Sequence, residues 1–170
     1  MSAPVPIELA VPEPPYRYWR PAVATVLVGS LMTILPVIAT IPFLPPFGLI
    51  ALLAWRLYRS NTLPAWAAAP LGLFDDLVSG QPLGSSMLLW SLCLIALDVL
   101  DTRLVQRDFW QDWLIATGAI ALCLSLGRVF AGTLAAHVDG PLLIQIALSG
   151  LIFPAMTRLC AWLYRRSARR

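Results

Sequence analysis

The chain contains few charged residues and little of the chemistry that catalytic sites use. Only 12% of its 170 residues are charged, lysine is absent, and all twelve cationic residues are arginine. The single histidine, His137, has no second histidine or nucleophile at a useful spacing, so we interpret it as a loop residue. The cysteines Cys93, Cys123 and Cys160 stand singly in apolar segments. Their spacing gives no sign of a disulfide framework or a metal site, and we expect no cofactor.

Long apolar runs make up most of the chain, which is 59% hydrophobic. A membrane-crossing helix needs about 17 to 25 predominantly apolar residues, and a soluble helical core would instead show polar faces at every third or fourth position. We predict six crossings: Pro21 to Thr40, Pro46 to Leu57, Leu63 to Val78, Leu83 to Leu97, Trp113 to Ala136 and Leu142 to Leu163. The sequence therefore predicts an all-α integral membrane protein with no separate soluble domain.

Prolines complicate the second and third predicted spans, which are short. Pro42, Pro45, Pro46, Pro64 and Pro70 lie at or near their starts, so one of the two spans is a candidate for a broken, re-entrant or tilted helix. The domain organisation that we predict is a flexible, Pro-rich cytoplasmic arm at residues 1–20, a six-span membrane domain at 21–164 and a basic cytoplasmic tail at 165–170.

Arginine occurs in alternate loops. The arginines at the ends of the predicted spans are Arg17 and Arg20, Arg56 and Arg59, Arg103 and Arg107, and the tail residues Arg165, Arg166, Arg169 and Arg170. The three intervening loops contain neither arginine nor lysine. Positive charge is retained on the cytoplasmic side of short loops, so both termini are predicted to be cytoplasmic. The basic tail suits an anionic lipid leaflet, and nucleic acid is not an expected partner.

Tryptophan positions support the same topology. An indole ring prefers the headgroup region, where its ring is buried and its N–H is hydrated. Six of the seven tryptophans fall at predicted cytoplasmic ends, namely Trp19, Trp55, Trp66, Trp110, Trp113 and Trp162. Trp90 is the exception and lies inside a span.

Ionisable residues inside the predicted spans are the candidate site, because a charge in a bilayer must be paired or hydrated. Asp75 and Asp76 lie near the outer end of the third span, and adjacent helical residues point about 100° apart, so we expect them on different faces. Arg128 continues a stripe of small residues on the fifth span and should face the bundle. We predict a buried ion pair between Asp76 and Arg128. Asp75 is the alternative partner, and outward snorkelling is the alternative for Arg128.

Asp98 and Asp101 are a further acidic pair, at the inner end of the fourth span. We interpret both as interfacial residues near Arg103 and Arg107. An intramembrane aspartyl protease would need two carboxylates at one depth. Asp98 lies about 20 Å from Asp76 along the membrane normal at the rise of an α-helix, so this chemistry is not predicted.

The segment Trp55 to Gly84 has the sequence WRLYRSNTLPAWAAAPLGLFDDLVSGQPLG and resembles the rod shape-determining membrane protein MreD family. That family has an aromatic and basic turn, a Pro-bearing connection and a Gly-Leu-x-x-Asp-Leu-x-x-Gly-x-Pro-Leu-Gly motif. The matching positions here are Gly72, Leu73, Asp76, Leu77, Gly80, Pro82, Leu83 and Gly84. The extra acid Asp75 and the Pro-rich arm depart from the family pattern.

The resemblance implies a non-enzymatic inner-membrane component of the bacterial cell-elongation machinery. The expected partners are MreC, the complex of RodA with its transpeptidase, and indirectly the MreB filament system. The expected architecture is similar to the membrane subunits of energy-coupling-factor transporters. The motif residues Gly72, Asp76, Gly80, Pro82 and Gly84, together with the intramembrane charges Asp75 and Arg128, are the structural or partner-binding residues that we predict.

Two other functions remain open from the residues. The first is a small-molecule-binding transporter subunit, which predicts an enclosed cavity lined by Asp76, Arg128, Gln145 and Ser149. The second is an enzyme acting on a lipid-linked substrate, which needs several convergent acids and bases at one membrane face. The outer face offers only four candidates, Asp75, Asp76, His137 and Asp139.

Overall fold

The computed structural model describes residues 19–34, 45–59, 62–103, 108–130 and 139–168. This part of the chain is helical and contains no strand. Its α-helices are α1 (Trp19–Leu31), α2 (Phe47–Tyr58), α3 (Ala68–Ser79), α4 (Ser85–Arg103), α5 (Phe109–Phe130) and α6 (Asp139–Ala168). Short 3₁₀ helices extend α1 at Met32–Ile34 and precede α3 at Ala65–Ala67. The predicted all-α class is confirmed.

Helix α2 is the centre of the bundle. Nine consecutive residues, from Gly48 to Arg56, are buried, so no face of this helix is accessible to lipid or water. A helix that is apolar on all sides is surrounded either by lipid or by other elements, and α2 is surrounded by other elements. Helices α1, α5 and α6 contact α2 directly. The five other helices contact one another in the order α1, α3, α4, α5, α6, and α6 contacts α1 again, so they form a ring around α2.

Three helices are long and apolar enough to cross a membrane, among the residues that the structure describes. These are α4, α5 and α6. The apolar helix α2 has 12 residues and is only about 18 Å long at 1.5 Å per residue, against roughly 30 Å of hydrocarbon. Its central position explains how a short helix is tolerated, since protein surrounds the helix from Gly48 to Arg56. Residues 35–40 of the first predicted span lie outside the described ranges.

Helices α4 and α6 extend beyond the predicted spans at their charged ends. Helix α4 continues six residues past the predicted end at Leu97, to Arg103, and therefore contains Asp98 and Asp101. Helix α6 continues past Leu163 and has Arg165 and Arg166 in its last turn. Hydropathy marks where the apolar run stops. The backbone hydrogen bonds of α4 and α6 continue past the last apolar residue, so each helix ends later than its apolar run.

The tryptophans divide into two groups. Trp66 and Trp110 are 73% and 70% exposed, as an interfacial indole should be. Trp55 is fully buried, and its Nε1 donates a hydrogen bond to Thr25 Oγ1 at 2.7 Å. Trp113 Nε1 donates to the carbonyl oxygen of Gly150 at 2.8 Å. The headgroup interpretation is therefore wrong for Trp55, whose indole joins α2 to α1.

Candidate functional site

Asp76 caps the N-terminus of a neighbouring helix. Its side chain is 1% exposed, and its four hydrogen-bond donors all lie at the start of α4 or immediately before it. Oδ2 accepts from the backbone N–H of Gly84 at 2.8 Å and of Met87 at 3.4 Å. Oδ1 accepts from Ser86 N at 2.9 Å and Ser85 Oγ at 3.1 Å. The first N–H groups of a helix lack intrahelical partners and carry partial positive charge, so a buried carboxylate there is satisfied.

The turn between α3 and α4 brings this carboxylate to those donors. Helix α3 ends at Gly80, which has φ of 68°, and its N–H donates to the Asp76 carbonyl oxygen at 3.1 Å. Gly84 has φ of 94°, and both angles lie in a region that favours glycine. Between them, the Pro82 carbonyl oxygen accepts from Ser85 N at 3.1 Å. The motif therefore encodes a helix end, a tight turn and a capped helix start.

Gly72 has a different role, which is close helix contact. A Cβ atom built on Gly72 would lie 2.7 Å from the backbone N and Cα of Met87 on α4. No real side chain fits at that distance, so α3 and α4 approach this closely only because position 72 has no side chain. Together, Gly72 and Asp76 lie on the same surface of α3 and hold the same segment of α4.

Asp75 also reaches the start of α4. Its Oδ2 lies 3.4 Å from Ser86 Oγ, while its neighbour Asp76 contacts the backbone of the same residue. Asp75 Oδ1 and the Ser30 hydroxyl of α1 both face Gly48 of α2. Asp75 is thus directed toward the centre of the bundle, where four helices meet.

A cavity of about 250 Å³ lies beside Asp75. Its polar lining consists of Asp75, Gln81, Ser86, Arg128 and Gln145. The apolar lining comes from α2, α4, α5 and α6 and the residue before α2, and includes Pro46, Leu49, Leu89, Trp90, Cys123, Leu124 and Leu142. Arg128 and Gln145 are two of the four residues around which the transporter function predicts an enclosed cavity, and both line this one. Among the described lining residues, Asp75 takes the place that was predicted for Asp76, and Ser149 is buried elsewhere.

The predicted ion pair between Asp76 and Arg128 is wrong. The four α4 donors satisfy the Asp76 carboxylate, and Arg128 is not among its partners in the described ranges. Arg128 lies in the last turn of α5, and the predicted continuation of that span at 131–136 lies outside the described residues. It shares the cavity with Asp75, the residue held as the alternative partner.

A second charged site lies at the opposite end of the bundle and was not predicted. Arg56, in the last turn of α2, is 6% exposed and pairs through Nη2 with Asp98 Oδ1. The same nitrogen lies 3.1 Å from Asp101 Oδ2. The sequence pattern predicts a topological role for Arg56 and an interfacial position for Asp98 and Asp101, and it does not predict contact between them. The sequence contains one signal for this site, the spacing of Asp98 and Asp101. Residues three apart on a helix share a face, so one guanidinium reaches both carboxylates.

No metal site is present in the part of the chain that the structure describes, because no group of three or more His, Cys, Asp or Glu side chains is close enough to hold an ion. His137 lies outside the described residues. Cys93, Cys123 and Cys160 are free thiols.

A family model described as rod shape-determining protein MreD matches residues 18–163, which is most of the chain. No curated protein and no solved structure matches.

Proposed function

The chain belongs to the MreD family of rod shape-determining proteins, and from that premise we propose that it is a non-enzymatic inner-membrane scaffold of the bacterial cell-elongation complex. In this role it binds MreC and supports the complex of RodA with its transpeptidase, and so supports peptidoglycan synthesis and the MreB filament system. The observation that carries the proposal is the family match over residues 18–163.

The use of the family motif supports a scaffold. The Asp76 carboxylate accepts hydrogen bonds from the start of α4, and Gly72 lies against the α4 backbone. A buried carboxylate whose oxygens already accept four hydrogen bonds from one neighbouring segment suits a structural role. The motif residues fix the relative position of α3 and α4, and a rigid helix pair is what a docking surface requires.

The proposed placement is a multi-pass protein with both termini in the cytoplasm and an architecture like that of energy-coupling-factor membrane subunits. Large apolar side chains are exposed on the long helices, such as Leu92 on α4, Leu114 on α5 and Leu151 on α6. These side chains suit contact with lipid tails or with the single transmembrane helix of a partner. At the proposed cytoplasmic end, Arg59 stacks on the Tyr164 ring at 5.1 Å, and Arg165 and Arg166 follow, which suits anionic lipid.

Two measurements in one strain test this proposal. A rod-shaped host depleted of its own MreD should become round, and expression of this chain should restore rods. Affinity purification of the tagged chain in mild detergent should recover MreC. A matched control is an unrelated six-span protein expressed at the same level with the same tag. Failure of both restoration and MreC recovery, with the chain present in the membrane, would reject the scaffold.

The cavity favours a second function, the small-molecule-binding membrane subunit of a transporter. A concave site with convergent polar groups is the usual form of a ligand site. This function requires association with an ATP-hydrolysing subunit, so the same purification distinguishes the two. Recovery of such subunits in place of MreC would support the transporter.

A further inference from the structure

Two cysteines from different helices lie side by side where α4 meets α5. Cys93 is on α4 and Cys123 is on α5, and their thiols are within hydrogen-bonding range of each other. The Sγ atom of Cys123 also lies 3.9 Å from the carbonyl oxygen of Leu89. In an α-helix the residue four positions along donates its N–H to such an oxygen, and for Leu89 that residue is Cys93. The Cys123 side chain therefore contacts the helical turn that carries Cys93.

The contact between the two helices continues on the next turn of α5. Gly127 lies one turn beyond Cys123, and a Cβ atom built on it would lie 3.8 Å from Cδ1 of Leu89, the α4 residue that Cys123 contacts. Two successive turns of α5 thus lie against one turn of α4. Helices in such direct contact can bring two cysteine Cβ atoms within the roughly 3.5–4.5 Å that a disulfide spans.

The third cysteine, Cys160, provides an internal comparison. It lies on α6 and is fully buried. Neither of the other two thiols is within hydrogen-bonding range of its sulfur. The three cysteines therefore divide into one pair between helices and one single thiol.

The cavity beside Asp75 gives a small molecule access to the pair. Cys123 lies in its wall, and the cavity is partly open to the surface, with a volume of about 250 Å³. One water occupies about 30 Å³ of the liquid, so this volume is sufficient for hydrogen peroxide, which has one more oxygen atom than water. The side chains of Gln81 and Ser86 in the wall suit a neutral, polar molecule of this kind.

We propose that Cys93 and Cys123 are a redox-active dithiol, which hydrogen peroxide oxidises to a disulfide that joins α4 covalently to α5. The inference goes beyond the scaffold function and does not depend on it. Helix α4 contacts α3 and α5 contacts α6, so the disulfide links two neighbouring helix pairs. It also closes a loop from residue 93 to residue 123, which restricts the unfolded chain and stabilises the folded one.

The reaction has two steps, and Cys123 reacts first because it lines the cavity. Its thiolate attacks one oxygen of the peroxide, the O–O bond breaks, and the leaving hydroxide takes a proton to become water. The product is a sulfenic acid on Cys123. The sulfur of Cys93 then attacks the sulfenic sulfur, the S–O bond breaks and a second water leaves. In total the two thiols lose two electrons and two protons, and one peroxide is reduced to two waters.

The first test uses the wild-type chain in its membrane, so it does not depend on the folding of a variant. The membranes are treated with hydrogen peroxide, and the protein is then unfolded in the presence of N-ethylmaleimide. The untreated protein should take up three maleimides, one for each free cysteine, and the treated protein should take up one, at Cys160. Digestion without reductant should give a peptide that contains a bond between Cys93 and Cys123. Peroxide should raise the Tm by several degrees, and dithiothreitol should reverse this rise.

The second test uses Cys93→Ala and Cys123→Ala, with Cys160→Ala as the matched cysteine control. Each variant of the pair should lose both the linked peptide and the rise in Tm, and the control should retain both. Peroxide added after unfolding in sodium dodecyl sulfate shows whether the link requires the folded bundle. The proposal is wrong if the treated wild type still takes up three maleimides, or if its cysteines form sulfinic acid without a link. It is equally wrong if the link involves Cys160 or a second copy of the chain, or forms only after unfolding.

Discussion

The carboxylate of Asp76 accepts a hydrogen bond from the backbone N–H of Ser86 at 2.9 Å, across the boundary between α3 and α4. This contact makes one helix the N-terminal cap of the next. Ordinary caps come from the residue just before the helix, and here the capping residue lies nine positions before Ser85. The stability of α4 is therefore tied to the correct packing of α3.

Replacing Asp76 with Ala should destabilise the protein strongly, because several buried donors lose their acceptor. A stranded buried donor costs about 1–3 kcal/mol, so we expect a loss of at least that size in the free energy of unfolding. The loss should be additive with that of Arg128→Ala, since the two side chains are not partners. Thermal unfolding of the detergent-purified single and double variants measures this. If the double variant loses less stability than the sum of the two single losses, the two side chains are coupled, and the structure is wrong about their not being partners.

The Arg56 cluster should behave as a coupled pair. The combined change of Asp98→Asn with Asp101→Asn leaves the 6% exposed Arg56 without its anions, at a cost of about 3–5 kcal/mol. Adding Arg56→Met removes the stranded charge, so the triple variant should be more stable than the double acid variant. Asp98→Asn alone should be mild, because Asp98 is 44% exposed and Asp101 remains. Equal stability of the double and triple variants would show that the guanidinium does not need its acids.

Gly72→Ala should destabilise the α3–α4 contact, because the added Cβ would lie 2.7 Å from the Met87 backbone. Gly118 of α5 is the matched control, since a Cβ added there would meet no atom of another element within 4 Å. Gly118→Ala should be neutral or stabilising by about 0.5–1 kcal/mol through higher helix propensity. Chemical denaturation of both variants gives the comparison. A Gly72→Ala protein as stable as Gly118→Ala would mean that the helices separate at little cost.

Gly80→Val and Gly84→Val should lower both stability and recovery of MreC. Positive φ at these positions costs a β-branched residue about 1–2 kcal/mol or more, and no neighbouring atom contributes to the effect because the space around both is open. Gly84→Asn is the control, since asparagine tolerates this backbone region better. Normal accumulation and rod shape with both valine variants would contradict a role for this turn.

The alternation of arginine predicts the topology directly. Reporters fused after Ser60 and Gln106 should read cytoplasmic, and a reporter at Gln81 should read periplasmic. Activity of paired cytoplasmic and periplasmic reporters at each point is the measurement. A periplasmic signal after Ser60 would overturn the six-span arrangement.

Hydropathy predicted where the helices lie. It did not predict which residues each charged side chain contacts. The second predicted span, Pro46 to Leu57, differs from α2 by one residue at each end. Asp76 was correctly expected to be buried, but depth along a span does not say which neighbour a side chain meets. Arg56 was missed because a terminal arginine in an apolar helix has the same sequence pattern whether it faces headgroups or a carboxylate. Trp55 was misjudged for the same reason.

The sequence by itself determined the all-helical membrane class, the positions of the apolar segments and the family, because these depend on composition and local order. The arrangement of five helices around α2 required the tertiary structure, since nothing local distinguishes a central apolar helix from a lipid-facing one. The tertiary structure also decided that Asp76 caps α4, that Arg56 pairs with Asp98, and that Asp75 and Arg128 share a cavity. The physical reason is that an ion pair or a cap depends on the distance between atoms on different helices, and that distance is set by how the whole bundle packs.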